Sequence, residues 1–488
     1  MSAIAFELPP EIRQACDGLT AFVRAEIFPR HEKHRALLED QRKLYRDDGR
    51  FSDEAVALIR EVRCAASRAG FYTMCVPEAL GGGGLGHLAY YAGWEHLFRL
   101  CGPQNWLMLY VISHWAFGPS RLLERITDEA RKRILEPMNA GETSMCFGLS
   151  EPGAGSDAAA LATRAVPDGD GWKISRRKIW TTNAPIADYC IVFAVTNPSL
   201  ASARKGGISA FLVPTNSHGF EVQRVVRLFG HIGGDEAELR LDEVLVEPWQ
   251  LVGELDHGFD AALYGVSLGR IYNSARAVGY GRWALERALE YSKVRETFGR
   301  PISDYQGVTF PLAESVAEMH AAHLMGLNAA ALLDKGQQAV KELSMTKAYS
   351  VQAGFRAVDR SIQTQGAIGF TNLLGLYHAW HSLRIVNVAD GTNEILNRTV
   401  VQRLLKGDVD LKPMAMRYGK SLPQFALRWT LSNPVISTAP VGCRNESEVN
   451  DNVGAIGWSI ADADMQEIDA IFARHGVVTS PENWIEKN

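Results

Sequence analysis

The period of apolar and polar positions changes twice along this chain. Through about residue 140, apolar residues recur at helical spacing: Ala55, Ile59 and Val62 share a face, and so do Leu97 and Leu100. From about 141 the runs shorten and become rich in β-branched residues. Segments 191–195, 208–213, 220–226 and 237–246 are separated by Gly, Pro and Asn, and Asp168-Gly169-Asp170-Gly171 is a hairpin signal. From about 256 helical periodicity returns, as in Leu312, Val316, Met319 and Leu327, and persists to about 408. The order predicts a mostly α chain with a central β domain. We divide it into an N-terminal helical domain (1–140), a β domain (141–255), a second helical domain (256–408) and a short helical tail (409–488). Gly81, Gly83 and Gly86 formally match G-x-G-x-x-G, but no strand precedes them, so a flexible inter-helix loop is expected.

Composition narrows the class without naming a chemistry. With 488 residues, 46% hydrophobic and 22% charged, the chain is an ordinary globular protein of about three domains. A net charge of −5 argues against a nucleic-acid or membrane-surface binder, and no apolar run suits a membrane span. The first thirty residues lack a signal-peptide apolar core. Seven cysteines with no C-x-x-C pair suggest free thiols and a cytoplasmic location. His31 and His34 read as a solvated helix face rather than metal ligands, and His320 and His323 read as helix-face residues.

Four clusters carry candidate chemistry. Leu149-Ser150-Glu151-Pro152-Gly153-Ala154-Gly155-Ser156-Asp157 combines two serines with glycines that let backbone amides approach a ligand. Trp180-Thr181-Thr182 offers an indole to cover a planar ring and a hydroxyl for its edge. Arg295-Glu296-Thr297-Phe298-Gly299-Arg300 with Gln306 suits a pyrophosphate. Asp390-Gly391-Thr392-Asn393-Glu394, preceded by Gln363-Thr364-Gln365-Gly366-Ala367, offers a carboxylate as a positioned base. Taken singly, each also fits a surface turn, a buried strand tryptophan, a helix end or an N-cap aspartate.

Their joint order resembles the acyl-CoA dehydrogenase family across residues ~15–408. The resemblance implies an acyl-CoA dehydrogenase fold, with a helical bundle, a β-barrel-like middle domain and a four-helix bundle. It implies FAD and α,β-dehydrogenation of an acyl-CoA thioester. Carried over, Phe147, Leu149, Ser150 and Ser156 would line the flavin and its phosphates, with Trp180 and Thr182 at its ring. Arg295, Thr297, Phe298, Gln306, Gln363, Gly366 and Ala367 would reach an FAD held by a neighbouring subunit. Ala367 stands where glycine is usual. Thr392 and Glu394 would sit near the diphosphate, and Ser156, Arg270 and Gly391 would contact substrate. Shared sites imply a homodimer or homotetramer, and an electron-transferring flavoprotein would be the usual electron acceptor.

The family's catalytic glutamate is replaced by Asp390, and the alternative glutamate position on an earlier helix is Gly269. Asp390 is therefore the expected base, as in an aspartate-bearing branch. An oxidase on the same fold, acting for instance on nitroalkanes, and a non-catalytic flavoprotein scaffold are the other readings. Residues ~411–488 resemble the end of an aldo-keto reductase, in which Arg444, Glu448 and Asn452 would hold an NADP adenosine. A full (β/α)8 barrel needs roughly 250 residues, so no second activity is expected. The tail's apolar positions, Phe425, Leu427, Trp429, Trp458, Ile468 and Ile471, should find the dehydrogenase core or a neighbouring subunit.

Overall fold

The computed structural model describes residues 7–406, 412–432 and 446–475. It divides into two compact units, 1–397 and 398–488. Arg444 and Cys443 lie outside the described residues.

The first unit begins with helices whose apolar stripes form one core. In Asp53–Arg68, Ser52 caps the N-terminus by accepting from the Ala55 amide, and Ala55, Leu58, Ile59 and Val62 are buried. Gly86–Cys101 buries Tyr91, Trp94, Leu97 and Phe98 against the long helix Gly258–Val294. That helix has 37 residues, so it spans about 55 Å. Gln306–Asp334, Val340–Gln365 and Leu376–Val386 pack with it into the second helical domain.

Between these lie eight strands: β1 (Met145–Gly148), β2 (Arg164–Asp168), β3 (Gly171–Thr182), β4 (Tyr189–Val195), β5 (Ile208–Pro214), β6 (Phe220–Val225), β7 (Glu236–Val246) and β8 (Leu251–Val252). The order is β6-β7-β3-β2-β4-β5-β8, with β1 parallel to β4. The Asp168–Gly171 turn joins β2 to β3, as its sequence predicts. The barrel-like expectation is corrected: no pairing among the described residues joins β6 to β8, and the sheet is open. Its last strand is too short to close it, since β8 pairs only Leu251 and Val252 with Phe211 and Ala210. No helix among the described residues is long and apolar enough to cross a membrane.

Two smaller expectations also change. His31 is buried, and its Nε2 accepts from the Leu107 amide at 3.1 Å; burial lowers its pKa to about 4. His323 lies on the helix Gln306–Asp334, with its Nδ1 2.7 Å from the Glu95 carboxylate. The glycine loop is tied down rather than flexible: Gly82, Gly83 and Gly84 donate to the carbonyls of Pro77, Thr73 and Val76. A Cβ at Gly82 would lie 2.2 Å from the Val76 carbonyl oxygen, so close packing explains the glycine.

The second unit comprises Lys412–Arg417, Leu422–Leu431, Glu446–Val453 and Asp462–His475. Its apolar residues do not wait for an outside partner. Met414, Ala415, Phe425, Ile460 and Ile468 bury one another, with Trp429, Trp458 and Ile471 packed around them.

Candidate functional site

One wall of the site is the loop after β1 laid along β3. The Ile179 amide donates to the Ser150 carbonyl at 3.0 Å. Beneath it, the Lys178 ammonium donates to the Glu151 carboxylate at 2.8 Å and to the Leu149 carbonyl at 3.2 Å. Glu151 also accepts from the Ala162 and Thr163 amides and the Thr163 hydroxyl. The Lys178 side chain is fully buried and that of Glu151 nearly so. Burial pushes the Glu151 pKa up, but Lys178 and these donors outweigh it and hold it below the usual carboxylate range. The charged pair thus clamps the loop to the strand.

Above the clamp the surface is open. β3 shifts register against β7 between Lys178 and Thr181, and Trp180 takes φ 60. A bulge of this kind re-aims a side chain, and Trp180 stays 53% exposed although its strand is largely covered. Ser150 and Thr182 are half-buried beside it, and Ser156 is exposed. A Cβ at Gly153 or Gly155 would meet nothing within 4 Å. An exposed indole, two hydroxyls and an unobstructed glycine turn fit a planar flavin with phosphates.

The other wall carries Asp390. It follows helix Leu376–Val386 in a tight turn, with φ 54 at Asp390 and φ 95 at Gly391. The Asn273 amide on the long helix donates to its Oδ2 at 2.7 Å. A Cβ on Gly269 would sit 2.3 Å from that same oxygen and 3.1 Å from the Trp115 Nε1. The two family positions for the base therefore converge on one volume, and only glycine at 269 leaves it to Asp390. The residue is partly exposed, yet its carboxylate is deeply enclosed. Burial raises its pKa to about 6, against the pull of Lys347, Arg270, Asn273 and Arg276. The Asp390 backbone N–H has no hydrogen-bond partner among the described residues.

Trp115 links the walls. Its ring meets Phe147 of β1 edge-on at 5.0 Å, and Gly265 lies against both rings. Arg270 is half-buried, with its Nη1 3.5 Å from the Ser344 hydroxyl. Thr392 caps the helix Asn393–Lys406 by accepting from the Ile395 amide, and Glu394 is exposed in its first turn.

The remaining candidates stand apart. Arg295, Thr297 and Phe298 occupy the hairpin of β9 (Glu296–Thr297) and β10 (Arg300–Pro301), with Gln306 beginning the next helix. Gln363, Gly366 and Ala367 lie at the end of Val340–Gln365, all exposed. Among the described residues no hydrogen bond or ring contact joins either group to the Ser150–Trp180 wall. Phe298 is 96% exposed at φ 50, an apolar ring presented outward on a strained turn. Sequence reasoning missed Asn273, Trp115 and Lys347. No local motif marks them, because their contacts span the fold.

The chain is similar to known proteins over most of its length. Family models for the N-terminal, middle and C-terminal domains of acyl-CoA dehydrogenase match residues 9–142, 146–244 and 256–405. An aldo/keto reductase family model matches 380–473. A probable acyl-CoA dehydrogenase of Bacillus subtilis is 32% identical over 401 residues, 82% of this chain and 100% of that protein. Subunit CarC of the caffeyl-CoA reductase-Etf complex of Acetobacterium woodii is 30% identical over 354 residues, 72% of this chain and 92% of that protein. The solved butyryl-CoA dehydrogenase of Megasphaera elsdenii superposes with a TM-score of 0.71 at 25% identity, covering 82% of this chain and 100% of that one. With three family models in register across the helix–sheet–helix order, the chain belongs to the acyl-CoA dehydrogenase family of oxidoreductases.

Proposed function

We propose that the protein interconverts an acyl-CoA thioester and its α,β-unsaturated counterpart, with Asp390 as the base. The observation that carries this reading is the Asp390 carboxylate, enclosed over Gly269 and held by Asn273. A base must lie within hydrogen-bond reach of the proton it takes, with a pKa near working pH. A value raised to about 6 leaves Asp390 ionised at neutral pH and basic enough to accept the α-proton. The free Asp390 N–H is a donor for the thioester carbonyl, where charge develops as the proton leaves. FAD, the cofactor of this family, would supply the acceptor for the β-hydrogen and its electron pair, held by Trp180, Thr182, Ser150 and Ser156. The Cα–H and Cβ–H bonds break, the carbon–carbon double bond forms, and the proton rests on Asp390.

The chain's other residues position the partners. Trp180, Thr182, Ser150 and Ser156 would hold the flavin, with Phe147 and Leu149 behind it. Arg270 and Gly391 would line the substrate side, and Thr392 and Glu394 the diphosphate side. Arg295, Thr297, Phe298, Gln306, Gln363, Gly366 and Ala367 would complete the FAD site of a second copy, which makes the protein at least a homodimer. The outward Phe298 supports this, because a strained turn presents its ring open to a second copy. An electron-transferring flavoprotein is the proposed redox partner, supported by the relative named for an Etf complex. That relative is also named a reductase, which favours running the same step in reverse as the second reading.

An anaerobic titration with a panel of acyl-CoA and enoyl-CoA esters tests the reading. Bleaching of the visible flavin band by an acyl-CoA, or reoxidation of reduced flavin by an enoyl-CoA, is expected. Bleaching by a nitroalkane but by no thioester would establish an oxidase instead.

A further inference from the structure

We propose that Lys347 is a positioning residue for this base: its ammonium holds the Gly391 carbonyl and so fixes the left-handed turn that carries Asp390 over Gly269. The inference rests on Asp390 being the base.

Lys347 lies on Val340–Gln365 and is fully buried. Its Nζ donates to the Gly391 carbonyl at 2.8 Å, across 44 residues of sequence. A buried ammonium carries a heavy desolvation cost unless it is compensated. Here its hydrogen-bond partner is a neutral carbonyl rather than a carboxylate, so a contact ion pair does not hold it in place and the Asp390 charge acts on it only through space. What the contact does hold is a pair of consecutive left-handed residues, Asp390 at φ 54 and Gly391 at φ 95. An aspartate in that region is strained and persists only where its surroundings over-determine it. Asn273 fixes the side chain and Lys347 fixes the backbone one residue on.

The ammonium also acts on the carboxylate through space. The charged and polar groups facing Asp390 are Arg270, Tyr272, Asn273 and Arg276 from the long helix and Lys347 from its neighbour; Lys347 exerts the largest charge attraction. Glu394 and Arg270 face Lys347 besides Asp390, and burial lowers the Lys347 pKa to about 8. Lys347 thus keeps the base ionised at neutral pH while burial works against it.

The test compares Lys347→Met, Lys347→Gln and Lys347→Arg as FAD-loaded protein. Flavin bleaching is followed against pH, and the melting temperature is measured over the same range. The acidic limb of the wild-type rate should lie near the Asp390 value of about 6. Lys347→Met should retain FAD, lose at least ~10-fold in bleaching rate at neutral pH and move that limb up by about one unit. The pH window in which Asp390 ionisation lowers the melting temperature should move up with it. Lys347→Arg should restore the limb. If Lys347→Met fails to fold, Lys347→Gln, which keeps a donor without the charge, should show the raised limb with a smaller loss of rate. A limb and melting profile unmoved in Met and Gln variants would overturn the proposal. So would equal losses in all three variants, which would mean a packing role only. Substantial turnover by Asp390→Asn would instead overturn the reading of the base, whatever Lys347 does.

Discussion

Aspartate reaches about 1.5 Å less far than glutamate, one carbon–carbon bond. At Asp390 a left-handed turn sets the carboxylate against Gly269 on the facing helix, whose missing Cβ leaves it room. Gly269→Ala should therefore be far from conservative. Its Cβ would strike the carboxylate, so bleaching should fall by ~100-fold or more while FAD content stays at the wild-type level. A stopped-flow comparison of the two proteins checks this. The raised Asp390 pKa gives a second prediction, for initial rates measured against pH. The rate should climb as pH rises through about 6, where the base ionises. Stability runs the other way. The folded state holds this proton more tightly than the unfolded chain, so the contribution is full below the ordinary value of 3.8 and lost as pH passes about 6. The Asp390 turn stands out in the sequence because a motif surrounds it. Asn273 and Lys347 were not, since they meet its turn from 117 and 44 residues away.

At the scale of elements, β-rich runs and turn residues picked out β4, β5, β6, β7 and the β2–β3 turn, and periodicity the two helical regions, while β1 and β8 carried no such signal. Whether the sheet closes was not legible, because closure depends on how the outer strands pair and not on their apolar pattern. The bulge that lifts Trp180 was equally hidden, arising from a register shift between β3 and β7. The loop–strand clamp explains why Glu151 and Lys178 accompany the flavin motifs. Glu151→Ala would leave a buried ammonium unpaired and should destabilise the protein by about 3–5 kcal/mol, read by denaturant unfolding. It should also loosen FAD, because Ser150 and the glycine turn would lose their anchor.

For the whole molecule, the 398–488 unit has its own small core and none of the candidate flavin or base residues. Truncation after residue 410 should leave anaerobic bleaching and oligomeric state unchanged, as bleaching titration and light scattering would report. The family and its cofactor were legible from motifs spread over the first unit; the independent packing of the tail was not, because its sequence still carries the apolar pattern of a barrel end. The central claim is that a single carboxylate performs the proton transfer. The most direct test is pre-steady-state bleaching of Asp390→Asn by a saturating acyl-CoA at neutral pH, with FAD content verified. A loss of ~1,000-fold or more, with cofactor intact, is predicted. A rate within tenfold of wild type would contradict it.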